Sequence, residues 1–195
     1  MIRRRSFSWF VLAAAAVLLL GGSVSSARAG ARPAVVGTVG QTFGVLGNVN
    51  EGGASLSLAT LWGIEDRLDL GVMFTADDMG TEVVDLRDPN DGTYLGKTQG
   101  AHRAAYGGAW RLDAHLAEFH NWDSFASGTW GWSRLRDDAN GVTQAQWGST
   151  GFTLAAGMRH AVRSHAALGG VLRYHRLFND DAGRFWSFGL EWSWL

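Results

Sequence analysis

The sequence predicts an all-β fold, an eight-stranded antiparallel up-and-down barrel that crosses a membrane and follows a cleavable signal helix. Three observations lead there. Strand-length segments alternate strictly between large apolar and small or polar residues. In "FWSFGLEWSWL", Trp186, Phe188, Leu190, Trp192 and Trp194 share one face and Ser187, Gly189, Glu191 and Ser193 the other. The chain holds 27 Gly and only 2 Pro beside 10 Trp and 10 Phe, which suits ordered strands punctuated by turns better than a flexible linker. Finally, basic "MIRRR", an apolar run from Phe7 to Leu20 and small residues ending in Ala27-Arg28-Ala29 have the order of a secretory signal.

That apolar run is short of the ~20 residues a spanning helix needs, so residues 1–29 read as a signal peptide and 30–195 as one exported domain. Of the 17 basic residues, four arginines leave with the leader, and the remaining 13 face 18 acidic residues, a formal charge of −5 before histidine. No basic patch or arm is present to neutralise phosphates along a strand, so nucleic acid is not an expected partner. The lack of cysteine removes disulfides, thiolate metal sites and cysteine nucleophiles.

The first strand is expected from Val35 to Leu46, with Val35, Val39, Phe43 and Val45 on one face, and Gly47 to Gly53 form its turn. A second follows in "ASLSLATLWGI", where Leu56, Leu58, Trp62 and Ile64 oppose Ser55, Ser57, Ala59 and Gly63. The third, "LDLGVMFTA", sets Leu68, Leu70, Val72 and Phe74 against Asp69, Gly71, Met73 and Thr75. Matching apolar faces places Ile64 opposite Leu68 and Trp62 opposite Leu70, with Glu65 to Arg67 as a three-residue turn. Asp77 to Gly100 contains "DPNDGT" and reads as a long loop carrying a small hairpin of its own.

A fourth strand spans Ala101 to Leu112, with Tyr106, Trp110 and Leu112 on one face and Ala105, Gly107, Ala109 and Arg111 on the other. "DAHLAEFHNW", Asp113 to Trp122, reads as a turn, although Leu116, Phe119 and Trp122 also fit a helical spacing. The fifth strand covers Asp123 to Arg136, the sixth Gln144 to His160, the seventh His165 to Phe178 and the eighth Phe185 to Leu195. "DDANG" and "NDDAGR" supply the turns that precede the sixth and the eighth.

Each strand has one bulky apolar face, and the other is filled with Gly, Ala, Ser, Thr and a few charges. A sandwich would put the bulky faces inside and a solvated Lys, Glu, Thr and Gln surface outside. The small faces suit instead a crowded barrel interior, with the large side chains toward acyl chains and Trp and Tyr at the interfaces. Closure also pairs every backbone group, as hydrocarbon requires. A soluble, secreted lipocalin-like carrier is the alternative, with the large apolar groups inside around a ligand. With both termini in the periplasm, the turns at Glu65 to Arg67, Asp113 to Asn121 and Ala161 to Ser164 face inward to the cell and the longer loops outward.

Ser187, Gly189, Trp192 and Trp194 lie in a pattern, polar-x-Gly-x-x-aromatic-x-aromatic, that resembles the β-signal read by the barrel assembly machinery. In size and pattern the mature chain is similar to small OmpA/OmpX-type outer-membrane barrels, in phrases such as "WGIEDRLDLGV" and "YHRLFNDDAGRFWSFGLEW". It departs from them in that Leu195 follows the last aromatic residue. The resemblance implies residence in the bacterial outer membrane, contact with outer-membrane lipid and lipopolysaccharide, delivery by the assembly machinery and a monomer. It specifies folding and location and leaves activity open.

Asp69, Arg111, Arg159, Arg173, His175 and Glu191 fall on the inward faces and form the expected interior polar network, with Glu191 opposite Arg173 across a turn at Asp181 to Gly183. Charges in so small an interior must be paired. They read as a static ion-pair plug, or as a gate whose rearrangement opens a small pore.

Asp123 and Ser124 near His115 and His120 suggest a lipid-modifying acyl hydrolase or transferase, but no G-x-S-x-G elbow accompanies them. His160, His165 and His175 lack a carboxylate at ligand spacing, so no metal is expected. No Gly-x-Gly piece follows a strand and opens a helix, so no phosphate loop or cofactor is expected either. The role read from the sequence is non-catalytic: envelope structure, surface interaction or passage of small solutes.

Overall fold

The computed structural model describes residues 33–43, 52–140, 142–178 and 184–194, apart from the side chains of residues 82 and 83. The signal peptide read at 1–29, the first strand beyond Phe43, and the loops up to Glu51 and across 179–183 lie outside the described residues. Eight strands follow in chain order: β1 Ala34–Phe43, β2 Ala54–Glu65, β3 Leu68–Arg87, β4 Tyr94–Phe119, β5 Trp122–Ala139, β6 Val142–Arg163, β7 Ala166–Leu177 and β8 Arg184–Trp194. Each is antiparallel to the next, and β8 pairs with β1 to close the barrel.

Register partners followed once round the barrel from Phe43 are Trp186, Tyr174, Leu154, Gly128, Leu112, Leu70 and Trp62, and Trp62 sits beside Leu61, the partner of Ala34. The path therefore starts at one end of β1 and returns at the other, so the strands tilt. Every side chain on it faces outward, and all but Gly128 are large and apolar. Trp110, Trp130, Leu154 and Phe188 are each more than half exposed. Trp192 lies over the outward side of Gly37, where no larger residue fits beneath the ring. On β5 the outward face is uncharged from Trp122 to Trp132, with Ser124 its one polar residue, and then changes to Arg134 and Arg136. Ten residues rise about 33 Å along a strand and, at the usual tilt, roughly 25 Å along the barrel axis, the height of a hydrocarbon band.

The inner faces match the alternation read from the sequence, but four local readings are corrected. Trp62 does pair with Leu70. Ile64, however, is bulged out, Glu65 pairs with Leu68, and the turn is Asp66-Arg67. Residues 113–122 are not a turn: β4 runs to Phe119, His120-Asn121 turn the chain with His120 at φ 56°, and β5 starts at Trp122. A bulge between His115 and Ala117 interrupts the two-residue period there, which is why Leu116 and Phe119 imitate a helical spacing. The turn expected at Ala161 to Ser164 is Ser164-His165, because Ala161 still pairs with Ala167. Finally, 77–100 is an extension of β3 and β4 closed by a tight turn at 88–93, where Asp88 accepts the backbone N–H of Asn90 and Asp91 that of Thr93, each at 2.8 Å. With β5 and β6 paired to Ala139 and Val142, the four middle strands stand beyond the rest at the far end, opposite the terminal end where Ala34 and Trp194 lie.

Candidate functional site in the barrel interior

Two apolar clusters and a group of charged residues fill the interior. At the far end Met79, Ala105, Leu135, Leu177 and Phe185 pack with Trp147. Toward the terminal end Ala34, Val36, Ala59, Leu61 and Met73 pack along β1 to β3. The charged residues lie beside this second cluster, at its level: Arg111 pairs with Gly71, two residues from Met73, and Glu191 with Thr38, two residues from Val36.

Glu191, fully buried on β8, is the centre of this group. Arg111 donates to it from Nη2 at 3.3 Å and grips Asp113 with Nε and Nη2 at 2.7 and 2.8 Å. Arg173 donates to Glu191 at 3.2 Å and to the Thr38 hydroxyl at 2.6 Å, and Thr38 in turn donates to Glu191 at 3.3 Å. Arg159 lies 3.5 Å from Asp113, 3.7 Å from Asp123 and 3.8 Å from Glu191, with its guanidinium 4.0 Å above the Phe125 ring. That ring occupies the space left by Gly157, where an added Cβ would come within 2.6 Å of it. Strand alternation sets all of these groups inside, and the tilt brings four strands' charges to one level.

Arg111, Arg159, Arg173 and Glu191 thus meet, Asp69 joins them only through His115 and Asp123, and His175 lies in a group of its own. Near the terminal end the two ring nitrogens of His115 lie 3.0 Å from Asp69 and 2.9 Å from Asp123. Since ionised carboxylates only accept, both contacts are satisfied when the ring carries two N–H groups. On the other side of the network His175 bonds Thr153 and Ser187 at 3.0 and 2.9 Å and stacks on Phe185 at 4.2 Å. Beside it a cavity of about 30 Å³, lined by Thr75, Asp77, Thr129 and Thr153 among others, has room for about two waters.

Glu191 is not opposite Arg173. Its partner on β7 is Gly169, and Arg173 faces Ser187. The expected turn at Asp181 to Gly183 falls in the segment outside the described residues, and Arg184 already pairs with Arg176. The slip is even, so both side chains stay inside and the ion pair forms diagonally. Asp113 and Thr38 are functional members that the sequence reading missed, Asp113 because its strand was taken for a turn. Alternation continued from Arg111 identifies it.

The hydrolase constellation does not assemble. His115 and Asp123 face inward, whereas Ser124, one residue on, faces outward and donates to the Ala117 carbonyl at 3.0 Å. His160 packs outside against Trp122 with centroids 4.9 Å apart, His165 sits in a turn and His175 is inside, so the three histidines are apart. Of the β-signal residues, Ser187 and Gly189 face inward and Trp192 and Trp194 outward.

No protein-family description matches the chain, and no curated protein matches it in sequence. Solved structures do. Neisserial surface protein A superposes with a TM-score of 0.60 at 14% identity, over 85% of this chain and 98% of that one. The N-terminal β-barrel domain of Pseudomonas aeruginosa OprF gives 0.56 at 9% over 85% and 98%. This is the fold of the small outer-membrane β-barrels. A major outer membrane protein from Thermus thermophilus shares it, with a TM-score of 0.51 at 13% identity over 86% and 99%. At such identities the likeness of this barrel to its neighbours is one of fold. The ion-pair layer rests on the residues of this chain alone.

Proposed function

We propose that the chain is a bacterial outer-membrane barrel with a non-catalytic role, a sealed, lipid-embedded scaffold that displays the β3–β6 extension at the cell surface. The observation that carries this reading is the interior: a buried Arg111–Asp113–Glu191–Arg173 network beside one apolar cluster and below another, inside a barrel whose outer wall is apolar. Eight strands enclose only enough space for side chains, and a network paired this way obstructs a standing aqueous path. The resemblance of the C-terminal strand to a β-signal supports delivery by the assembly machinery, and the leader supports export with both termini in the periplasm. Outer-membrane lipid and lipopolysaccharide are the expected surroundings of the apolar wall, and complete closure of the sheet favours a monomer.

Outer-membrane fractionation with heat-modifiable gel migration tests the placement. Recovery in the soluble periplasmic or secreted fraction, without a mobility shift, would overturn it in favour of a carrier. Planar-bilayer recording of the purified protein tests the seal, and steady conductance would replace the scaffold by a pore. Ser124→Ala is expected to leave lipid A and phospholipid profiles unchanged, since this hydroxyl faces away from His115.

A further inference from the structure

Arg176 on β7 and Arg184 on β8 are direct cross-strand partners, and alternation turns both to the outside of the barrel. One step toward the membrane on the same face, Tyr174 and Trp186 are likewise partners, with ring centroids 5.0 Å apart. Phe152, the β6 partner of Arg176, lies 5.8 Å from Phe178. Two guanidinium groups therefore sit at the upper edge of an aromatic belt, where apolar surface gives way to headgroups.

Like charges placed directly opposite one another destabilise a sheet unless a counter-charge joins them. Four other basic side chains at this end of the barrel have partners: Arg136 with Asp138, His102 with Asp78, Arg103 with Asp137, and Arg134 with Gln146. Among the described residues, neither Arg176 nor Arg184 has a carboxylate partner. Asp180 and Asp181, in the segment joining the two strands, lie outside those residues.

Resting on the outer-membrane reading above, we propose that Arg176 and Arg184 bind the phosphate of a phosphorylated glycolipid in the outer leaflet. The planar guanidinium fork matches phosphate oxygens bidentately, and two of them match the nearly double charge of a phosphomonoester. Tyr174 and Trp186 would lie against the first part of the lipid below its phosphate.

The test uses the full-length protein purified in maltoside micelles, titrated with bis-phosphorylated lipid A, dephosphorylated lipid A or inorganic phosphate, with bound lipid read by native mass spectrometry. One phosphorylated molecule should bind, and affinity should fall at least tenfold for the dephosphorylated lipid and for R176Q/R184Q. R134Q and D180N/D181N should retain binding. Undiminished binding by R176Q/R184Q, or loss of it in D180N/D181N, overturns the site, and full competition by equimolar inorganic phosphate overturns the lipid as its source. Heat-modifiable migration in the same samples separates the two readings. A variant that keeps its mobility shift and its lipid sinks the site alone, whereas a wild-type protein without the shift removes the membrane reading as well.

Discussion

Replacing Glu191 by Gln removes one negative charge from a place where three guanidinium groups converge, while side-chain volume is preserved. Glu191 is 0% exposed, with Arg173, Arg111 and Arg159 at 3.2, 3.3 and 3.8 Å, so its charge has no water to take over these contacts. Removing one partner of a buried ion pair costs about 3–5 kcal/mol, because the charges left behind stay desolvated. No cavity forms, so that figure is the whole expected loss. With a urea slope of about 2 kcal/mol per molar, the unfolding midpoint should fall by about 2 M. Heat-modifiable gel migration after equilibration in urea reads the folded fraction directly. In the R173M/E191Q double variant one excess positive charge leaves with its partner, and about half of the loss or more should return, as a coupling of about 1–3 kcal/mol between contacting residues implies. A single variant within 1 kcal/mol of wild type, or a double variant whose losses simply add, would show that the network contributes little to the fold.

Three further outcomes follow from the same geometry. Leu154 is 56% exposed near the middle of the outer wall, so Leu154→Arg should cost about 2–4 kcal/mol of barrel stability in lipid, whereas a water-facing wall would tolerate it. Gly157→Val should push Phe125 from beneath Arg159 at a cost of about 1–3 kcal/mol, seen as a lower unfolding midpoint; an unchanged midpoint would mean the ring has room to move. In the β5–β6 extension, burial raises the Asp138 pKa, but hydrogen bonds from Arg136 and Thr143 and the Arg136 charge outweigh it, and the carboxyl is held below its usual range. A depressed folded pKa stabilises above the ordinary carboxylate range and is lost as pH falls through it, so the hairpin tip should exchange its amide hydrogens faster, relative to intrinsic rates, in acid than at neutrality. Asp138→Asn should abolish that difference.

Inside and outside were legible because the side-chain period of a strand is two, and an error of register by an even number leaves faces intact. The reading of Glu191 against Arg173 failed in this manner: the partner was wrong and the face right. Bulges were not legible. One at Leu116 broke the alternation and hid Asp113, the carboxylate that Arg111 grips most closely. The length of the β3–β6 extension was hidden too, since there apolar residues such as Leu86, Leu95 and Val142 are scattered among polar ones and alternation loses its contrast.

The sequence by itself determined that there would be eight strands, that each would carry one greasy and one compact face, and that the compact faces would hold charges in need of partners. Only closure and tilt decided which charges meet. Residues far apart in the chain reach one level through the stagger of a closed sheet, and Thr38, Arg111, Arg159, Arg173 and Glu191 become neighbours for that reason. Local register did the rest: His115 pairs with inward Phe125, so Ser124, one residue before it, faces the other side of the wall.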